Sequence, residues 1–118
     1  MSEKDKDYDL EKRASKFARD VRSFAKKLPT NTANIEDIKQ VVRSSGSIGA
    51  NYIEANESIS RKDFKHRIKI CRKEAKETAY WVKLLVQNNN KKFRKEGKIL
   101  HNEAIQLVKI FSSILNNS

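Results

Sequence analysis

Apolar residues recur at steps of three and four through most of the chain, and the breaks in that step divide it into four segments. In the first, Leu10, Ala14, Phe17, Val21, Phe24 and Leu28 share one stripe, broadened by Ala18 and Ala25. That period belongs to an amphipathic helix, expected over about residues 9–28. Pro29 ends it, because the residue before a proline is driven out of the helical region. Residues 1–8 alternate charges without periodic apolar positions and read as a frayed leader.

After the polar loop 30–34, Asn34 with Asp37 three residues on reads as an N-cap with a capping-box partner, which predicts a second helix over about residues 35–59. Ile38, Val41, Ile48, Tyr52, Ala55 and Ile59 share its face once Ser45 is counted as a small member. Gly46 and Gly49 each cost about 1 kcal/mol relative to Ala in a helix interior. A neighbouring backbone that comes very close would explain them. Ser60 with Asp63 repeats the cap and opens a third helix, about 61–88, whose Phe64, Ile68, Cys71, Ala75, Thr78, Val82 and Leu85 form a heptad-like seam. Asn88, Asn89 and Asn90 supply a turn. Phe93, Gly97, Leu100, Ala104, Leu107, Phe111 and Ile114 then mark a fourth helix, about 93–116.

Four long helices with short connections predict an all-α fold, an antiparallel up-down-up-down four-helix bundle forming one domain over residues 1–118. Composition agrees. The chain has 35% charged and 37% apolar residues, which suits a narrow helical core, and its three Gly and one Pro are too few for an all-β fold. No apolar run approaches membrane-spanning length, the single cysteine cannot form an intramolecular disulfide, and the first residues are charged, so a cytoplasmic setting and no membrane partner are expected.

A formal net charge of +11 favours phosphate-rich or otherwise acidic partners. The excess lies in the second half. Residues 61–90 hold nine basic and three acidic groups and residues 91–118 six and two, whereas residues 30–60 hold two and four. On the third helix Lys62, Lys65, Lys69, Arg72, Lys76 and Lys83 form a stripe displaced from the seam, continued beyond the helix by Lys91, Lys92, Arg94 and Lys95. Either this is a solvated face or, since few acids sit at neighbouring turns, a phosphate-binding one. Aromatic interleaving is too sparse to indicate base stacking.

A polar stripe on the second helix, Ser44, Ser47, Asn51, Glu54 and Ser58, lies beside the apolar one. In an antiparallel hairpin turning near Ser60, equal helical rise sets Glu54 against Arg67, Asn51 against Ile70, Ser47 against Glu74, and Arg43 near Glu77 or Thr78. Such a line is either a catalytic constellation or a structural network or subunit contact that fixes register. The second is favoured, because no Ser-His-Asp set, Cys-His pair or metal-ligand spacing accompanies it. No metal, cofactor or catalytic residue is therefore assigned. Trp81 shares a second stripe with Ile70, Glu77 and Leu84, which either widens the core or meets another subunit. Cys71 sits on the seam as a small hydrophobe, and His66 and His101 have no companion ligands.

The run Arg43-Ser44, Ser47-Ile48, Ala50-Asn51, Glu54-Ala55, then Asp63-Phe64, Lys73-Glu74-Ala75, Glu77-Thr78 and Tyr80-Trp81 resembles the bacterial four-helix-bundle family encoded in intervening sequences of the 23S ribosomal RNA gene. The motifs cover roughly the central third of the chain. The resemblance implies a left-handed bundle and a homo-oligomer, with a five-membered ring as the best guess. More distantly, the chain is similar to accessory proteins of diversity-generating retroelements, basic rings that act with nucleic acid and a nucleic-acid-processing protein. The family has no accepted catalytic residues to carry over. The function expected is a non-enzymatic, homo-oligomeric nucleic-acid-binding protein, RNA before DNA, contacting phosphates without strong sequence preference. The alternative is an oligomeric scaffold or protein-interaction module, and a hydrolase using Glu54 and Glu74 ranks third.

Overall fold

The computed structural model describes residues 3–117. Its order is α1 (Glu3–Lys27), α2 (Thr32–Asn56), α3 (Arg61–Gln87), a single 3₁₀ turn (Lys91–Phe93) and α4 (Arg94–Asn116). Each helix packs antiparallel on the next, and α4 returns to α1, giving the all-α up-down-up-down bundle.

The core is where the periodicity put it. Phe17, Val21 and Phe24 of α1, Val41 and Ile48 of α2, Ile68, Val82 and Leu85 of α3, and Leu107 and Phe111 of α4 are essentially inaccessible. Phe24 meets Phe93 edge to face at 6.3 Å, which fixes the entry to α4 against α1. Cys71 is buried on the seam and donates its thiol to the Ile48 carbonyl at 3.4 Å. Burial pushes the Cys71 thiol up to about 12. Because the thiolate is the nucleophile, iodoacetamide at pH 8 is expected to leave Cys71 unlabelled in the folded protein and to label it fully in denaturant. Rapid native-state labelling, read by intact mass, would contradict this packing.

Helix termini differ from the sequence expectation in instructive ways. Ser60 caps α3 as expected, its hydroxyl accepting from the Asp63 amide at 3.1 Å. At α2, however, the cap is Asn31 and not Asn34, its side chain accepting from the Asn34 amide at 2.8 Å. Asn34 is freed for another task and is buried. Its side-chain Nδ2 donates to the Pro29 carbonyl at 2.8 Å and to Asn89 Oδ1 at 2.9 Å, while Asn89 donates back to Asn34 Oδ1 at 2.9 Å. This reciprocal pair ties the start of α2 to the end of α3. Helix α2 stops at Asn56, three residues short of the expected end, and Ile59 stands 97% exposed in the turn. Helix α1 already runs from Glu3, so the expected leader is helical there, since extending a nucleated helix costs little. Met1 and Ser2 of that leader lie outside the described residues.

The α2 glycines also have a different cause from the close backbone expected of them. What lies against Gly46 is the Arg22 guanidinium, which would sit 3.2 Å from an added Cβ and which donates to the Ala18 and Val42 carbonyls at 3.0 and 3.4 Å. Beside Gly49 is only the Ala14 methyl, at 3.6 Å from such a Cβ. The tight approach is instead at Gly97, where an added Cβ would come within 2.1 Å of Val86 Cγ2. There α4 presses directly on a β-branched side chain of α3.

Candidate functional site

Two sets of polar residues flank the α3 seam, one turned toward α2 and one away from it. The α2-facing set is a ladder of two hydrogen-bonded groups. The Arg43 guanidinium donates to Glu74 and Glu77, each at 3.1 Å, and so spans one turn of α3. Glu74 is 4% exposed, so its carboxylate enters the interior only with that partner. One turn along α3, the Ser44 and Thr78 hydroxyls meet at 2.8 Å in full burial, with Thr78 donating to the Glu74 carbonyl at 2.8 Å. Lower on the hairpin, Asn51 donates to the carbonyl and hydroxyl of Ser47, both at 2.9 Å, and accepts from Arg67 at 3.0 Å.

This register corrects the expected pairings. Arg67 turns to Asn51 and not to Glu54, which is exposed, and Ser47 bonds along its own helix and not to Glu74. Arg43 does reach Glu77, as expected, and Glu74 besides. Every buried side-chain polar atom among the described residues has a partner. The buried polar atoms of the ladder are thus satisfied internally. Among the described residues no His, Cys, Asp and Glu group has the geometry to hold a metal ion.

The set turned away is cationic. Lys62, Lys69, Lys76, Lys83, Lys91, Lys92, Arg94 and Lys95 are exposed, while Lys65 and Arg72 are half-buried. Among the described residues none of the ten pairs with a carboxylate; Glu74 and Glu77 are engaged with Arg43 and Glu96 with Lys27 at 2.9 Å, while Asp63 beside Lys62 is exposed and makes no ion pair. Lys92 lies 5.3 Å from the centre of the Phe93 ring. The bundle therefore carries a run of unneutralised charge along α3, over the following turn and into α4.

One feature was not anticipated from the sequence. Lys98 and His101 join Lys83 and Arg94 on the walls of a groove of about 420 Å³ between α3 and α4. Their signal was present, since Arg94, Lys98 and His101 follow steps of four and three. Their relation to Lys83 depended on inter-helix register. The Trp81 stripe was expected either to widen the core or to meet another subunit. Trp81 is half-buried and packs on the core, whereas Tyr80 beside it is 56% exposed, the two rings 5.0 Å apart and edge to face.

No helix among the described residues is long and apolar enough to cross a membrane. A search of curated proteins finds no match. A solved structure of a protein of unknown function from the S23 ribosomal protein family of Bacteroides thetaiotaomicron is 31% identical, spans 90% of this chain and 97% of its own, and superposes with a TM-score of 0.79. The family model described as 23S rRNA-intervening sequence protein matches residues 6–113, nearly the whole bundle. On that match, the chain belongs to the 23S rRNA-intervening sequence protein family.

Proposed function

We propose that the protein is a non-enzymatic, homo-oligomeric RNA-binding protein that contacts phosphates through the α3 stripe and the basic turn after it, with little sequence preference. The observation that carries this reading is the ten cations without a carboxylate partner among the described residues. Leaving so many like charges unneutralised on one face repels the folded state, a cost that a polyanion relieves by releasing counterions to solution. The family's name, which ties it to ribosomal RNA genes, makes RNA the first polyanion to test. Repetition of the stripe around an oligomer, a five-membered ring by resemblance, multiplies weak contacts through effective concentration. The exposed Tyr80 ring beside Trp81 offers the surface for that assembly. A cytoplasmic setting belongs to the same reading.

If each protomer neutralises about three to five phosphates of a single strand, affinity falls roughly 20- to 100-fold between 50 and 200 mM salt. Fluorescence anisotropy with a mixed-sequence RNA measures that slope, and light scattering of the same samples gives the subunit count. Salt-independent binding, or none at low ionic strength, overturns the reading. The second reading is an oligomeric scaffold for a protein partner, and exposed Tyr80 is the observation in its favour.

A further inference from the structure

The groove between α3 and α4 has a chemistry that a simple cationic face does not. Its floor is apolar, formed by Val82, Val86 and the backbone of Gly97, where the missing Cβ lets Val86 close the gap between the helices. Its rim is cationic. Lys83 stands on one side and Arg94 and Lys98 on the other, and among the described residues none of the three pairs with a carboxylate. No acidic residue lines the groove. Gln87 and His101 bring side chains that both donate and accept hydrogen bonds. At about 420 Å³ the volume is in the range of small-molecule sites.

An occupant that satisfies both parts has a flat, weakly polar body and anionic groups on its flanks. The rim is also continuous with the stripe of Lys76 and Lys83 and with Lys91, Lys92 and Lys95, so an extended polyanion following that stripe passes over the groove. We infer that the groove admits one unpaired base of single-stranded RNA, its neighbouring phosphates held by Lys83, Arg94 and Lys98. The inference rests on the RNA reading above and sharpens it, because it makes strandedness the selected property. A duplex keeps its bases stacked and cannot offer one to the floor.

Electrostatics alone gives the opposite preference. Duplex has the higher charge density and the steeper counterion-release slope, so a purely cationic face binds it at least as tightly as a single strand. The test measures the full-length protein with one RNA, single-stranded and annealed to its complement, at fixed salt. In parallel, the ¹⁵N-labelled protein is titrated with uridine 5′-monophosphate and with inorganic phosphate, monitoring the Gly97 and His101 amides.

The expected result is about tenfold tighter binding of the single strand, and shifts at Gly97 and His101 with the nucleotide that phosphate does not reproduce. Equal or tighter duplex binding overturns the inference while leaving the RNA reading standing. Equal shifts with phosphate reduce the groove to an anion site and also overturn it, as does a nucleotide that leaves both amides unmoved. Failure of both RNA forms to bind at low salt removes the RNA reading as well.

Discussion

Reversal of Lys65, Lys69 and Arg72 to Glu in one variant is expected to weaken RNA binding by at least two orders of magnitude while helical content and subunit count stay as they are. The magnitude follows from counterion release. At about 0.1 M salt each single-strand phosphate contact contributes roughly 0.7 log units, so loss of three removes about 100-fold before repulsion by the new carboxylates is counted. The salt slope should become shallower by about 2 on the log–log plot. The fold has little reason to respond, because Lys69 is exposed, Lys65 and Arg72 are half-buried, and none of the three pairs with an acid among the described residues. Carboxylates at 69 and 72 would moreover lie four residues before Lys73 and Lys76, the favourable orientation for a helical ion pair. Anisotropy and light scattering on the variant separate the two functional readings. Unchanged RNA retention means that the charge serves solubility and leaves the scaffold reading; collapse of binding with the oligomer intact leaves the RNA reading.

Gly97→Ala is expected to destabilise the bundle by about 1–3 kcal/mol, the usual range for overpacking, even though Ala is the better helix former. The added methyl would meet Val86 Cγ2 at 2.1 Å and Phe24 Cζ at 3.5 Å. Val86 cannot swing aside freely, because a β-branched side chain in a helix holds essentially one χ1 rotamer. Adding Val86→Ala should therefore recover most of the loss, giving a coupling above about 1 kcal/mol in a double-mutant cycle measured by urea denaturation. Gly49→Ala is the control. There the methyl finds ordinary contact with Ala14 at 3.6 Å, and a gain of about 0.5–1 kcal/mol is expected. A Gly97→Ala protein as stable as the parent would show that the helices separate at no cost.

The seams of the bundle were legible in the sequence because a helix has one period and a core has one polarity. Phe17, Ile68 and Leu107 could hardly be placed elsewhere. Ser60 was legible for a local reason, since its cap involves only residues 60–63. Asn31 and Asn34 were not, because both can cap a helix, and the choice was made by Asn89, 55 residues away, which takes the Asn34 side chain. The candidate site divides in the same way. The cationic stripe is a property of one helix and could be read from it, whereas the partner of Arg67 and the α3–α4 groove each depend on how two helices are set against each other. Gly46 shows the limit from the other side. Its smallness was visible, but the Arg22 side chain lying against it belongs to a different helix.

The reciprocal Asn34–Asn89 amide pair also bears on time. The α2–α3 hairpin is expected to close from its short turn at 57–60, and this pair lies at the opposite, open end, so it is expected to form after the helices have zipped together. An interaction absent from the folding transition state leaves the folding rate alone and slows unfolding. The two asparagines thus act as a latch on the lifetime of the native bundle, holding shut the end from which the hairpin would begin to peel.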